Sequence, residues 1–232
     1  GELTANDAVS FSINKGEVLA LLGENGAGKT TLMNVLFGQY TADSGTVSVF
    51  GQTLPPGNSR AALDAGVGMV HQHFTLADNL TVQENITLGT RPLSSLRLNY
   101  SKARSRILAL SKEFHLVVSP DSRVGSLSVG ERQRVEILKA LYRDVKILIL
   151  DEPTAVLTPQ ETNDLFATLR LATSSGLSII FISHKLHEVM AIADRVCVLR
   201  HGRKIGEEWI KNTDKHSLAK MMMGTEAKSP QV

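Results

Sequence analysis

Short, continuous apolar runs punctuate this chain, and polar stretches with helical spacing separate them. Val18-Leu19-Ala20-Leu21-Leu22 stops at Gly23, and Val67-Gly68-Met69-Val70 follows a polar stretch. Ile147-Leu148-Ile149-Leu150 stops at Asp151, and Leu177-Ser178-Ile179-Ile180-Phe181-Ile182 stops at Ser183. Runs of this kind suit strands buried on both faces, as in a parallel sheet covered by helices. Two segments alternate instead. Val9, Phe11 and Ile13 are interleaved with Ser10, Ser12 and Asn14, which predicts a half-exposed antiparallel strand, and Val47-Ser48-Val49-Phe50-Gly51 reads the same way. The pattern predicts an α/β fold: a mostly parallel core with a small antiparallel sheet near the amino end.

Between about Leu80 and Leu116 strand signals are scarce. Ser101 to Phe114 has helical spacing, with Ile107, Leu108 and Leu110 as its apolar positions, and Pro92 sits in a Leu/Ser-rich stretch that reads as a loop. This predicts a helical insertion within the α/β core. The sequence contains no internal repeat and no low-complexity segment.

Composition narrows the class. The chain has 232 residues, 42% hydrophobic and 21% charged, which suits one packed domain or two small ones. Lys+Arg 25 against Asp+Glu 23 leaves a formal charge of +2, without the basic surplus of a dedicated nucleic-acid binder. The single cysteine, Cys197, excludes an internal disulfide and a cysteine-based zinc site, and its setting Val196-Cys197-Val198-Leu199 predicts a small buried hydrophobe. No apolar run approaches the ~18 residues of a membrane span. The first residues, Gly1-Glu2-Leu3-Thr4, carry no signal-peptide pattern and no initiator Met, so the chain is expected to be a fragment of a longer protein.

Candidate chemistry begins where the first apolar run ends. Gly23-Glu24-Asn25-Gly26-Ala27-Gly28-Lys29-Thr30 fits the pattern G-x-x-x-x-G-K-[ST] between a strand and a helix. The helix would bury Leu32, Val35, Leu36 and Phe37 and close at Gly38. Glycines allow the backbone to wrap a polyphosphate, and the helix N-terminus adds positive potential. Lys29 can reach the β- and γ-phosphates, and the Thr30 hydroxyl can join a Mg²⁺ shell. Asp151 closes a buried strand at the edge where open α/β sheets bind ligands, which suits a Mg²⁺ role. Glu152, one residue on, can face a water beyond the γ-phosphate and is the candidate general base.

Three further strings fix a family resemblance. Leu127-Ser128-Val129-Gly130-Glu131-Arg132-Gln133 resembles the LSGGQ signature of ATP-binding-cassette (ABC) ATPases. Gln72, in Val70-His71-Gln72-His73-Phe74, resembles their Q-loop residue, and His184, in Ile182-Ser183-His184-Lys185, resembles their switch histidine. The order of these elements is the family's. The residues support the signature independently: Ser128-x-x-Glu131 is a capping box, ahead of a helix from Arg132 to Tyr142 with Val135, Leu138 and Leu141 on one face. The strings 66–74, 79–86 and 151–161 resemble the first half of tandem-cassette importers for nucleosides and simple sugars.

The resemblance implies an ATPase that energises solute uptake, with ATP and Mg²⁺ as its cofactors. The nucleotide would be held by Gly23 to Thr30 together with Thr31 and Gln72, and the metal by Thr30, Gln72 and Asp151. Glu152 and His184 would be catalytic. Ser128, Val129, Gly130 and Glu131 would cover ATP on an opposite cassette. The implied partners are that second cassette, transmembrane permease subunits and, indirectly, an extracytoplasmic solute-binding protein; no nucleic acid is expected. The chain would lie peripherally on the cytoplasmic face of the inner membrane. Residues 1–73 and 137–232 would form the α/β core with its antiparallel β-subdomain, and residues 74–136 the helical subdomain. Membrane contact would come from residues 74–116, coupled to ATP through Gln72.

Two departures from the family pattern stand out. Ala155-Val156-Leu157-Thr158 ends in Thr where many members have Asp, and no aromatic residue precedes Phe11, so the adenine-stacking side chain is expected upstream of Gly1. His71 and His73 flank Gln72 without a cysteine or third ligand close by, so a metal site there is not expected. A soluble ABC protein of DNA repair or translation is the alternative function, disfavoured by the modest charge and the lack of a coiled-coil insertion. A catalytically silent binding module is disfavoured by Lys29, Asp151, Glu152 and His184.

Overall fold

The computed structural model describes residues 4–90 and 100–224. The loop read around Pro92 lies outside them. In chain order the elements are β1 (Val18–Leu22), α1 (Lys29–Leu36), β2 (Ser48–Val49), β3 (Gln52–Thr53), α2 (Ser59–Asp64), β4 (Val67–Val70), α3 (Val82–Thr87) and α4 (Tyr100–Glu113). There follow α5 (Val129–Tyr142), β5 (Ile147–Asp151), α6 (Pro159–Ser174), β6 (Ser178–Ser183), α7 (Leu186–Ile192), β7 (Arg195–Arg200), β8 (Arg203–Trp209) and α8 (Lys215–Met223).

Six strands form one sheet in the order β4-β5-β6-β1-β7-β8, parallel throughout except for the antiparallel β7–β8 pair. The apolar runs are buried on both faces, as their continuity requires. Along β1, Val18, Ala20 and Leu22 enter one core with Val135 and Leu138 of α5, Leu169 of α6 and Val189 of α7. Leu19 and Leu21 point the other way, toward Met33 of α1 and Ala62 of α2. Cys197 is wholly buried in β7, and that burial pushes its thiol pKa up to about 11, so it behaves as a core hydrophobe.

The amino-terminal segment departs from expectation. Val9, Phe11 and Ile13 do pack inward and alternate with more exposed neighbours. Among the described residues, however, 8–14 join no strand ladder. Side chains take their carbonyls instead: Lys204 Nζ donates to Ser10 at 3.0 Å and Arg195 to Ser12 at 2.6 Å. Alternation reports which side is buried but supplies no partner strand. The separate antiparallel pair is β2–β3, closed by Phe50 and Gly51 at φ +50° and +79°, the signs of a type I′ hairpin turn.

Two helices bury slightly different faces from those predicted. In α1, Met33 is fully buried, while Leu32, Val35 and Leu36 are partly covered; Phe37 is the C-cap and Gly38 follows at φ +75°. In α4 the buried row is Ala103 and Ile107, with Leu110 partly covered, so Leu108 falls off that face and is 43% exposed. In α5, Val135, Leu138 and Leu141 are buried as the spacing predicts.

Candidate functional site

Four neighbouring parallel strands bring the predicted residues to one edge. Leu22 of β1 pairs with Ser183 of β6, Asp151 of β5 with Ile182 of β6, and Val70 of β4 with Leu150 of β5. The phosphate-type loop, Gln72, Glu152 and His184 therefore all leave the carboxyl ends of adjacent strands, where open α/β sheets place ligands.

The loop between β1 and α1 is shaped by backbone that only glycine adopts freely. Gly26 has φ +80° and Gly28 φ +94°. Gly28 is the N-cap of α1 and has no side chain to cap the helix, which leaves the first amides of α1 free to meet an anion. Lys29 is 6% exposed, and its ammonium donates to the carbonyls of Gly23 at 2.8 Å and Glu24 at 2.9 Å. Burial lowers its pKa, and the charges of Glu152 and Asp151 oppose that shift. The loop is braced from outside by Asn6, whose amide donates to the Gly28 carbonyl at 3.2 Å.

Across from the loop, the Thr30 hydroxyl donates to Asp151 Oδ2 at 3.0 Å. Asp151 is 4% exposed, and desolvation raises its pKa; the Thr30 bond and the Lys29 charge pull it down, while Glu152 adds to the rise. A buried carboxylate beside a hydroxyl is a hard oxygen pair of the kind Mg²⁺ takes alongside phosphate oxygens and water. Glu152 has φ +46°, a left-handed conformation that costs a non-glycine residue about 1–3 kcal/mol. Its amide donates to the Ile182 carbonyl at 3.1 Å, and its carboxylate meets His184 Nδ1 at 2.8 Å.

Gln72 is exposed, two residues beyond β4, and among the described residues it is not hydrogen-bonded to Asp151 or the loop. Its neighbour His71 contacts Gln39 at 3.4 Å and contributes positive potential at Asp151. Three residues further, Thr75 is anchored by the buried Glu136 of α5, which accepts from its amide at 2.6 Å and its hydroxyl at 2.9 Å. The segment that carries Gln72 is thus tied to the helix that carries the Ser128 string.

The capping box at α5 is present: Glu131 N–H donates to Ser128 Oγ at 3.3 Å and Ser128 N–H to Glu131 Oε2 at 2.8 Å. Val129 is 42% exposed, and Gly130 lies against the Glu161 side chain of α6, which would have to shift to admit a Cβ. Among the described residues no hydrogen bond joins positions 128–131 to the phosphate-type loop. Thr158 is itself an N-cap, its hydroxyl accepting from Glu161 N–H at 3.3 Å, so the Thr in place of Asp retains capping chemistry.

Residues not singled out in the sequence complete this edge. Asn6 and Glu136 belong to no motif, and their roles depend on contacts with residues 22 and 61 positions away. Buried Glu188 likewise looks like an ordinary helix acid in sequence, yet it accepts from Thr154 and Ser183, next to the two catalytic candidates.

Residues 6–155 match the ABC transporter family, from the Asn6 brace through β5 and Glu152 to Ala155. The chain belongs to that family. Its members bind ATP, and the ABC fold is borne out by solved cassettes. The ADP-bound form of an ATP-binding cassette of an ABC transporter superposes with TM-score 0.83 at 28% identity, covering 95% of this chain and 92% of that one. Among longer relatives, the nucleoside import ATP-binding protein NupA of Lactococcus lactis is 46% identical over 97% of this ABC chain and 44% of its own length. The glucose import ATP-binding protein TsgD13 of Haloferax volcanii is 44% identical over 97% of this chain and 46% of its own. The chain therefore spans less than half the length of these relatives. Among the described residues no helix is long and apolar enough to cross a membrane.

Proposed function

We propose that this ABC chain is the ATP-binding and ATP-hydrolysing cassette of an importer for a nucleoside or simple sugar. The observation that carries the proposal is the pairing of His184 Nδ1 with Glu152 Oε1 at 2.8 Å, on the sheet edge that also holds Thr30 and Asp151. The import functions named for its relatives, over 97% of this chain, support the solute class.

In this reading Gly23 to Thr30, with Thr31, wrap the triphosphate. Lys29 turns from the Gly23 and Glu24 carbonyls to the β- and γ-phosphates, exchanging two neutral acceptors for charged ones. Thr30, Asp151 and Gln72 would hold Mg²⁺, which would neutralise developing phosphate charge. Glu152 accepts the proton of the attacking water, and His184 keeps the Glu152 carboxylate turned inward. Ser128, Val129, Gly130 and Glu131 cover the nucleotide of an opposite cassette; among the described residues they are not hydrogen-bonded to this chain's own loop. Residues 1–73 and 137–232 act as the core and residues 74–136 as the helical subdomain that meets the permease. The Glu136–Thr75 tie would carry movement of Gln72 into α5. The protein would sit at the cytoplasmic face of the membrane, supplied with solute by an external binding protein.

The test is ATP-driven uptake by the full-length protein, its co-purifying membrane subunits and the external solute-binding protein in sealed vesicles, against a panel of labelled nucleosides and pentoses or hexoses. Uptake of at least one that stops in the Lys29→Ala protein is expected. ATP turnover with no uptake of any panel member would contradict the solute class.

A further inference from the structure

The pairing of Glu152 with His184 depends on two loops that leave the sheet side by side and then have no ladder to hold them. The last backbone bond between them is Glu152 N–H to the Ile182 carbonyl at 3.1 Å. The residues next to the pair in sequence enter a buried polar cluster with no part in the chemistry described above. Glu188, in α7, is 2% exposed. Its Oε2 accepts from the Thr154 hydroxyl at 2.6 Å and from the Ser183 hydroxyl at 3.0 Å, and its Oε1 pairs with Lys185 Nζ at 3.0 Å. Thr154 and Ser183 are buried as well, at 3% and 2% exposed. Ser183 Oγ in turn accepts the Lys185 amide at 3.0 Å, and Lys185 Nζ reaches the Thr154 carbonyl at 3.4 Å.

The order along the chain gives this cluster its meaning. Thr154 stands two residues after Glu152, in the turn closed by Ala155 N–H to the Glu152 carbonyl. Ser183 and Lys185 stand immediately before and after His184. One carboxylate thus ties the turn after Glu152 to the end of β6 and to the residue that follows His184. A buried carboxylate is costly unless its lone pairs are satisfied, and here three donors from two loops satisfy them. We infer that Glu188 is a positioning residue: by clamping Thr154 and Ser183 it sets the distance and angle between Glu152 and His184. The inference rests on the ATPase reading of those two residues for its kinetic consequence, but its geometric content does not.

The test uses the full-length protein and three variants, Glu188→Gln, Thr154→Val and Thr154→Ser. Val has the shape of Thr without its hydroxyl, and Ser restores the hydroxyl alone. Misplacement of a catalytic group by a fraction of an ångström to 1 Å lowers rates steeply, so Glu188→Gln and Thr154→Val are expected to lower kcat by about tenfold or more. KM for ATP should stay within about twofold, because the phosphate-loop contacts are untouched. Thr154→Ser should recover most of the rate. The second readout needs no activity: in protein labelled with 13C-histidine, with the His184 signal assigned by its loss in His184→Ala, that signal should move in Glu188→Gln and Thr154→Val toward its position in Glu152→Gln. A parental protein without ATP turnover would overturn the ATPase reading while the histidine signal still decides this one. A His184 signal that stays in place, or a lowered melting temperature with kcat per folded molecule unchanged, would overturn the positioning role.

Discussion

His184 Nδ1 and Glu152 Oε1 lie 2.8 Å apart although 32 residues separate them in the chain. They meet because β5 and β6 are neighbours in register, Asp151 opposite Ile182, so the residues that follow leave the sheet together. Glu152→Gln keeps the shape and the left-handed turn but cannot accept a proton from water. ATP binding should persist and turnover fall by roughly 10²–10⁴-fold. A binding titration beside single-turnover quench-flow checks this; parental turnover in the variant would remove Glu152 as the base.

Lys29→Ala should lose nucleotide affinity. Its ammonium is already aimed into the loop by the Gly23 and Glu24 carbonyls, and burial lowers its pKa while the Glu152 and Asp151 charges oppose that shift. Removing it leaves those two carboxylates without their buried counter-charge, so ATP binding measured by calorimetry should fall by at least about tenfold. Unchanged affinity would mean that the loop does not bind phosphate.

Two glycines of the same loop should respond differently. Gly26 has φ +80° with open space around it, so Gly26→Ala meets only backbone strain of about 1–2 kcal/mol. Gly28 has φ +94°, and a Cβ there would stand 2.5 Å from Asn6 Nδ2 and closer still to the Ala5 carbonyl. Gly28→Ala should therefore lower the melting temperature more than Gly26→Ala and break the Asn6 brace. Thermal denaturation of both variants without nucleotide gives the comparison; equal losses would show that the amino-terminal segment does not press on the loop.

Asp151 makes a pH prediction. Burial raises its folded pKa above the unfolded value, so its charged form opposes folding. The contribution to stability is present below the ordinary carboxylate pKa and is lost as pH rises through the raised one. Asp151→Asn should therefore make the nucleotide-free protein more stable at neutral pH than its parent. The difference should shrink in acid, where Asp151 is protonated. The same variant should lose the stabilisation that Mg·ATP gives the parent. Melting curves between acid and neutral pH, with and without Mg·ATP, read all three effects.

Much of this fold is legible from local pattern. The doubly buried strands β1, β4, β5 and β6 are continuous apolar runs, and Ser128 announces the start of α5 through its capping box. What is hidden depends on contact rather than period. Strand β8, Arg203–Trp209, is an exposed edge with no apolar run, visible only because β7 pairs with it. The helices α2 and α3 have six residues each, too few for a helical period to declare itself. Residues 8–14 alternate as a strand does, yet Lys204 and Arg195 take the carbonyls a ladder would have used. The site divides in the same way. Lys29, Asp151 and Glu152 sit in strings whose spacing carries their chemistry, whereas Asn6, Glu136 and Glu188 gain a role only when distant segments meet.

In the arrangement proposed above, ATP bound at Lys29 and Glu152 would be hydrolysed only when a second cassette's signature covers it, as Ser128 of this chain would cover the other nucleotide. Ser128→Arg in the full-length protein tests it most directly, with ATP binding and steady-state hydrolysis measured on the same preparation. Ser128 is bonded within its own capping box and, among the described residues, not to the loop that carries Lys29. Unchanged ATP binding is expected, with hydrolysis reduced to a small fraction of the parental rate. Binding and hydrolysis that fall together would place Ser128 beside its own nucleotide, and hydrolysis at the parental rate would show that Ser128 serves neither site; either result contradicts the opposite-site arrangement.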